Sequence, residues 1–210
     1  MIYITSFKKE ILQESWNLKQ HQIEHSIGRG LLAYGLQEEY RISREDILLE
    51  KGEYGKPYLK KYPEIFFNIT HCKEMAACAI ATKEIGIDIE GVRKFSPAIL
   101  KGVLTLKEKE QLEGTKQKEE MFFRFWTLKE SFIKAIGKGL SFPLQEISFQ
   151  LPEEYEGEIK ANQKGYIFYQ RQINSQFILS ICFKEREMPD SLKIFQDVPV
   201  STFFNSFITN

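Results

Sequence analysis

Apolar and polar residues along this chain form short alternating segments and longer helix-like segments, and each kind is grouped. Short runs with a two-residue alternation predict strands, and longer runs of helix-forming residues predict helices. The predicted strands lie near 2–7, 47–50, 65–70, 75–82, 85–91, 146–151, 157–161, 165–171, 176–184 and 192–196. The predicted helices lie near 9–37, 96–102, 105–114 and 119–136. This grouping is typical of an α+β fold with largely antiparallel sheets.

The predicted strand near 85–91 carries two acidic residues on one side. Its isoleucines alternate with Gly86, Asp88 and Glu90, which is the period of a strand with one buried face. Asp88 and Glu90 therefore point in the same direction. Taken alone, the pattern also fits the solvated face of an edge strand with no chemical role. We further expect this strand to form a hairpin with the strand at 75–82, turning at Lys83 and Glu84.

The predicted helix near 119–136 places a carboxylate and an ammonium group on one face. Glu130 and Lys134 lie one helical turn apart, and the run contains neither Gly nor Pro. An ordinary surface pair at this spacing, worth only ~0.3–0.5 kcal/mol, is the alternative interpretation. Oxygen ligands from a strand and a helix suit a hard divalent cation such as Mg²⁺. The sequence thus predicts a magnesium site built by Asp88, Glu90 and Glu130, one of them acting through water.

Composition excludes several classes of protein. The 210 residues include 29 basic and 29 acidic side chains, so no overall field attracts nucleic acid or an anionic membrane. Cys72, Cys78 and Cys182 show no C-x-x-C spacing, which fits a reducing compartment. No apolar run approaches the ~20 residues of a membrane helix, and the first residues do not form a signal sequence. We expect a cytoplasmic protein that binds neither nucleic acid nor membrane.

Four segments, read together, carry a family resemblance. They are Gly55-Lys56-Pro57, Phe67-Asn68-Ile69-Thr70-His71, Gly86-Ile87-Asp88-Ile89-Glu90 and Phe125-Trp126-Thr127-Leu128-Lys129-Glu130-Ser131-Phe132-Ile133-Lys134-Ala135-Ile136-Gly137-Lys138-Gly139-Leu140. Their order and spacing resemble the 4′-phosphopantetheinyl transferase family, in its surfactin-type branch. The 125–140 segment is the specific one, because W-x-x-K-E-S followed by a lysine and G-x-G is rarely met elsewhere.

The resemblance implies an enzyme of the holo-[acyl-carrier-protein] synthase type. Such an enzyme uses Mg²⁺ to transfer 4′-phosphopantetheine from coenzyme A to a serine of an apo acyl or peptidyl carrier protein, and it releases adenosine 3′,5′-bisphosphate. The family serves fatty acid, polyketide or nonribosomal peptide synthesis, and its two-lobed members are commonly monomers. We therefore expect coenzyme A and a carrier protein as partners of a monomeric chain.

The resemblance also implies roles for individual residues. Asp88, Glu90 and Glu130 would hold the metal ion against the pyrophosphate, and Glu130 would also take the proton of the incoming serine. Lys134 would contact the phosphates and stabilise charge on the departing nucleotide. The remaining expected contacts to coenzyme A are Lys56, Thr70, His71 (near the 3′-phosphate) and Lys129 as a second cation. His25, Ser26 and Arg29 are weaker candidates for the 3′-phosphate.

The family fold implies two similar α/β lobes related by a pseudo-twofold axis, with the ligand in the cleft between them. The predicted lobes are residues 1–95, which include the Asp88 strand, and residues 96–210, which include the long helix. Two alternatives remain open. One is a different metal-dependent phosphotransferase or nucleotide hydrolase that uses the same carboxylates. The other is a catalytically silent binding protein that keeps the fold.

Overall fold

Two larger sheets, one two-stranded sheet and four α-helices make up most of the described part of the chain. The structure, a computed structural model, describes residues 1–8, 12, 19–154, 156–185 and 192–202. The helices are α1 (Gln20–Tyr40), α2 (Leu100–Val103), α3 (Leu106–Glu113) and α4 (Lys118–Ile136). The strands are β1 (Ile2–Ser6), β2 (Leu49–Lys51), β3 (Pro57–Leu59), β4 (Phe66–Cys72), β5 (Met75–Ala81), β6 (Ile85–Gly91), β7 (Phe149–Gln150), β8 (Gly157–Ala161), β9 (Ile167–Ile173), β10 (Phe177–Phe183) and β11 (Ile194–Phe195).

The strand order places β4 and β6 at the edges of different sheets. The first sheet has the order β11-β1-β5-β4, the second has the order β6-β10-β9-β8-β7, and β2 and β3 pair separately. All pairs are antiparallel except β1 with β11. The predicted α+β class with mostly antiparallel sheets is therefore confirmed. None of the helices in the described residues is long and apolar enough to cross a membrane.

Three apolar clusters show how the layers pack. Ile2 and Ile4 of β1 share a cluster with Ile87 and Ile181 of β6 and β10, so the two sheets bury a common core between them. Helix α1 covers the opposite face of the first sheet. Helix α4 covers the opposite face of the second sheet, where Phe132 and its neighbours are buried. Strand β6 consequently lies between the sheet core and α4.

Two strand predictions differ from the structure. The expected hairpin at Lys83 and Glu84 is wrong, because β6 pairs with β10 rather than with β5. The hairpin forms one strand earlier, between β4 and β5. Residues 57–59 form strand β3, which was not predicted because the preceding G-K-P sequence is typical of a turn. The predicted helical stretch over 9–18 lies outside the described residues, apart from residue 12.

The predicted division into lobes of 1–95 and 96–210 stays a prediction. The sheets do not follow that boundary, because β6 joins the later strands and β11 joins the first sheet.

The long helix matches its predicted extent closely. Helix α4 carries Glu119 and Glu120 in its first turn. It ends at Ile136 and is followed by Gly137, whose φ of 72° is left-handed. Such a glycine is a common helix terminator.

Helix α4 and strand β6 approach each other most closely at Gly86. A Cβ atom on Gly86 would lie 1.9 Å from the carbonyl oxygen of Ser131 and 2.4 Å from the amide nitrogen of Ala135. These are backbone atoms of a continuous helix, which have no side-chain freedom with which to move aside. The absence of a side chain at this residue therefore sets the distance between α4 and β6, and with it the position of Asp88 relative to Glu130 and Lys134.

We expect Gly86→Ala to lower the free energy of unfolding by about 3 kcal/mol, because the added methyl group overpacks two backbone segments. Chemical denaturation followed by circular dichroism measures this change. Gly102→Ala is the matched control, because no atom lies within 4 Å of the methyl group it would add. The control should be neutral or slightly stabilising, since Ala is favoured over Gly in a helix. Equal stabilities of the two variants would contradict the proposed constraint.

Candidate active site

Asp88 is a buried carboxylate with one oxygen bonded and the other without a partner. Its side chain points from β6 toward α4, and the residue is 4% exposed. Oδ1 accepts hydrogen bonds from Lys134 Nζ at 2.5 Å and from Thr70 Oγ1 at 3.1 Å. Across the described ranges, Oδ2 is the buried side-chain oxygen or nitrogen that lacks a hydrogen bond. Burial raises the pKa of Asp88, while the charge of Lys134 opposes that rise.

Glu130 lies in the same electrostatic neighbourhood. Burial, together with the negative charge of Asp88, raises the pKa of Glu130 to about 7, and Glu90 adds to the effect. Lys134, one turn further along α4, acts in the opposite direction. The charges of Asp88, Glu90, Glu130 and Lys134 therefore act on one another between β6 and α4. An excess of acidic groups next to an unpartnered oxygen favours a cation.

The three carboxylates influence one another electrostatically, but among the described residues they do not form a complete set of metal ligands. In the part of the chain that the structure describes, no group of three His, Cys, Asp or Glu side chains has the spacing of a metal site. The available donors nevertheless fit Mg²⁺, because they are all carboxylate oxygens and because Asp88 Oδ2 is buried and unbonded. The assignment of Asp88, Glu90 and Glu130 as metal ligands stays a prediction.

A row of side chains joins β4 to β6 in place of a backbone ladder. The backbone N–H groups of Ile87, Ile89 and Gly91 are donors along the free edge of β6. Their acceptors on β4 are Asn68 Oδ1 (2.9 Å), Thr70 Oγ1 (3.4 Å) and Cys72 Sγ (3.3 Å). Buried backbone N–H groups require such partners. This side-chain ladder fixes the edge of one sheet against the edge of the other.

Glu90 is held by two groups at the end of β6. Its Oε2 accepts a hydrogen bond from Arg93 at 2.6 Å and from the thiol of Cys72 at 3.1 Å. Arg93 also donates to the carbonyl of Gly91 and lies 4.5 Å from the centre of the Phe123 ring on α4. Burial raises the pKa of Cys72 to about 11, which keeps the thiol protonated as a donor.

The residues expected to bind the nucleotide occupy different surroundings. The hydroxyl of Thr70 is buried and also accepts from Lys134 Nζ at 3.3 Å, so it faces Asp88. The side chain of His71 is 42% exposed, and its Nδ1 lies 3.4 Å from Glu24 of α1. The nucleotide roles of Thr70 and His71 stay predictions. His25, Ser26 and Arg29 line a cavity of about 530 Å³, together with Arg44.

Lys56 bridges the start of β6 and the end of α4. Its Nζ donates to the carbonyl oxygens of Ile85 (3.0 Å) and Ala135 (2.9 Å). Burial lowers the pKa of Lys56 to about 8. An ammonium group has three protons to donate, and these carbonyls accept two of them. Lys56 also lines a cavity of about 300 Å³ with aromatic walls, so its predicted contact with a phosphate remains open.

Lys129 does not face the site, and its predicted role as a second phosphate-binding cation is wrong. It is fully buried and pairs with Glu108 of α3 at 2.9 Å. Its ammonium group also donates to the carbonyl oxygens of Leu144 and Ile147. Glu108 in turn accepts from the backbone N–H groups of Thr105 and Phe149. The helix turns Lys129 about 100° away from Glu130, into the protein interior.

Sequence reasoning missed the side-chain ladder and the contacts that hold Glu90. Neither Cys72 nor Arg93 is among the site residues that the sequence predicts. A signal was present in the segment F-N-I-T-H-C, where Asn68, Thr70 and Cys72 occupy alternate positions and therefore share one face of a strand. Three polar or thiol side chains on a buried strand face require partners. The identity of those partners required the three-dimensional structure.

Comparisons with known proteins show which family this chain resembles. A family model described as the 4′-phosphopantetheinyl transferase superfamily matches residues 84–182, which include Asp88, Glu90, Glu130 and Lys134. The 4′-phosphopantetheinyl transferase Sfp of Bacillus subtilis (strain 168) is 28% identical over 91% of this chain and 87% of the relative. The 4′-phosphopantetheinyl transferase gsp of Aneurinibacillus migulanus is 33% identical over 74% of this chain and 66% of the relative.

The chain belongs to the 4′-phosphopantetheinyl transferase superfamily, in its surfactin-type branch, and it is an enzyme of that type. The resemblance drawn from the four sequence segments is confirmed. Among solved structures, the crystal structure of Thermotoga maritima holo-[acyl-carrier-protein] synthase aligns with a TM-score of 0.41 at 21% identity. That alignment covers 51% of this chain and 66% of that chain, and it is too distant to add to the assignment.

We expect Lys129→Met to lower the free energy of unfolding by about 3–5 kcal/mol, because it leaves the carboxylate of Glu108 buried and unpaired. Urea denaturation measures the loss. Lys134→Met is the matched control on the same helix. The side chain of Lys134 is 28% exposed. Burial already raises the pKa of its partner Asp88, so this carboxyl group can take up a proton when the ammonium group is removed. The control should therefore lose much less stability. A larger loss for the control would refute the structural role given to Lys129.

Proposed function

We propose that this enzyme transfers 4′-phosphopantetheine from coenzyme A to a serine of an acyl or peptidyl carrier protein, with Mg²⁺ as cofactor and adenosine 3′,5′-bisphosphate as the leaving product. The observation that carries the proposal is the buried, unbonded Oδ2 of Asp88 beside Glu130 and Lys134. Superfamily membership supports the transferred group, and the carboxylate set supports the metal.

Asp88 and Glu130 are the proposed principal ligands of the metal ion, and Glu90 completes the set. Asp88 Oδ2 is free to bind a cation without breaking a hydrogen bond, whereas Oδ1 is already bonded to Lys134. Mg²⁺, when bound, would neutralise the pyrophosphate of coenzyme A and make its phosphorus more electrophilic. Glu90 offers Oε1, because the hydrogen bonds that this carboxylate accepts from Cys72 and Arg93 both go to Oε2.

Glu130 is the proposed general base. The serine oxygen of the carrier forms a new bond to the phosphorus that bears the pantetheine arm, and the bond from that phosphorus to the bridging pyrophosphate oxygen breaks. The serine proton passes to Glu130, directly or through water. Glu130 is half-buried at the site and lies one turn from Lys134 on α4, so one helix presents both the base and the cation.

Lys134 is the proposed stabiliser of the departing nucleotide. Its ammonium group already lies against Asp88 and Thr70, so the helix and the strand both restrict its position. Phosphoryl transfer depends mainly on positioning and on charge stabilisation, which a fixed cation supplies. His71 and Lys56 are further proposed contacts to coenzyme A. Nδ1 of His71 lies 3.4 Å from the mostly buried carboxylate of Glu24, which holds the ring in place beside the site.

Incubation of the enzyme with coenzyme A, Mg²⁺ and several apo carrier proteins tests the proposal. Mass spectrometry should show a carrier heavier by one phosphopantetheine group, together with released adenosine 3′,5′-bisphosphate. A nucleotide hydrolase would consume coenzyme A and leave the carrier mass unchanged. A silent binding protein would leave both unchanged. Either of these two results with every carrier would refute the proposed reaction.

We expect Asp88→Ala and Glu130→Ala each to abolish transfer in this mass assay, because each removes a proposed metal ligand while leaving the apolar core intact. The rate should fall by a factor of about 10² or more, as is typical when a positioned base or a stabilising charge is removed. Circular dichroism and thermal unfolding verify that both variants remain folded. Removal of Mg²⁺ with EDTA should stop the wild-type reaction as well.

Glu119→Ala is the matched control for these variants. Glu119 lies in the first turn of the same helix and is exposed, far along the helix from Glu130. The control should keep wild-type transfer. Wild-type rates for Asp88→Ala or Glu130→Ala at saturating coenzyme A and Mg²⁺ would remove these residues from the active site.

A further inference from the structure

Two residues of β4 repeat one bonding geometry toward β6. The side chain of Thr70 accepts from the backbone N–H of Ile89 and donates to the carboxylate of Asp88. The side chain of Cys72 accepts from the backbone N–H of Gly91 and donates to the carboxylate of Glu90. Each of the two β4 residues thus forms hydrogen bonds with an acidic side chain of β6 and with the backbone N–H of the residue that follows it. The repeat follows the two-residue period of both strands.

Arg93 and Cys72, which both donate hydrogen bonds to Glu90, belong to different parts of the fold. Arg93 lies three residues further along the same chain segment, and its side chain is 46% exposed. An exposed ion pair of this kind is weakened by solvent and gives little orientation. Cys72 belongs to another strand of another sheet and is half-buried. Of these two contacts, the one from Cys72 ties the Glu90 carboxylate to the frame that also holds Asp88.

Resting on the proposed function, we propose that Cys72 is a positioning residue for metal binding: its thiol holds Oε2 of Glu90 so that Oε1 is presented to the cation. Cys72 itself does not touch the metal. The bond adds a half-buried anchor from the other sheet to this carboxylate, so the entropy of ordering is lost on folding rather than on metal binding. Thr70 has the equivalent relation to Asp88, and together the two β4 residues set the spacing of the acidic pair.

The sulfur atom matters only as a hydrogen-bonding group in this role. A thiol is a weak donor and a weak acceptor, and a serine hydroxyl supplies the same two functions. Cys72→Ser should therefore preserve the positioning, whereas Cys72→Ala should remove it. This pair of variants separates hydrogen bonding from side-chain volume, because serine and alanine are both smaller than cysteine.

Titration of Mn²⁺ against the enzyme and coenzyme A, with free Mn²⁺ measured by electron paramagnetic resonance, tests the proposal without using turnover. We expect Cys72→Ala to weaken Mn²⁺ binding by about 10-fold, the usual loss when a group that orients a metal ligand is removed. Cys72→Ser should bind Mn²⁺ like the wild type. In the mass assay, Cys72→Ala should raise the Mg²⁺ concentration needed for half-maximal rate and leave the KM for coenzyme A unchanged.

Cys78→Ala is the matched control for a purely structural effect. Cys78 is fully buried in β5, and its thiol donates a long hydrogen bond of 3.9 Å to the carbonyl oxygen of Ala79. This variant should lower the thermal stability and leave Mn²⁺ affinity unchanged. Unaltered Mn²⁺ affinity in Cys72→Ala, or equal weakening in Cys72→Ser, would overturn the role of Cys72. Wild-type enzyme that binds no Mn²⁺ would instead overturn the proposed metal site, and the inference with it.

Discussion

The backbone contact between β6 and α4 at Gly86 determines where every proposed catalytic group lies. A strand and a helix normally keep the distance that their side chains require, but here a residue without a side chain lets the two backbones meet. Asp88 is two residues along the strand from this contact, and Glu130 and Lys134 flank it on the helix. The same close approach buries Asp88 and Glu130, which raises the pKa of both carboxylates.

Two Lys–carboxylate pairs of α4 illustrate the difference between structural and functional charges. Lys129 and Glu108 satisfy each other's hydrogen-bonding requirements with the help of nearby backbone groups, and both are fully buried. Lys134 and Asp88 form a shorter pair, but Lys134 is partly exposed and Asp88 keeps one buried oxygen without a partner. A folded protein tolerates such a group mainly where a ligand completes it. The unsatisfied pair, not the satisfied one, belongs to the proposed site.

Local pattern was sufficient for most of the helices and strands, although not for β3. The alternation around Asp88 predicted β6, and the run without Gly or Pro predicted α4 with Glu130 and Lys134 on one face. Long-range pairing was not predictable in the same way, because β6 sits opposite β10 rather than its neighbour in sequence. The prediction for Lys129 was wrong because Lys129 is next to Glu130 in the sequence motif, but adjacent residues of a helix point in different directions. Cys72 was overlooked because its partners lie on another strand.

The central claim is that Asp88 of β6 and Glu130 of α4 bind one divalent ion across the contact at Gly86. Crystals grown with coenzyme A and Mn²⁺ test it most directly, because anomalous scattering locates manganese independently of any assumed ligand. The account predicts one strong anomalous peak in coordination contact with both carboxylates and with the pyrophosphate. A peak bound to the pyrophosphate but out of reach of Asp88 or Glu130 would contradict it, as would a complex with bound coenzyme A and no manganese.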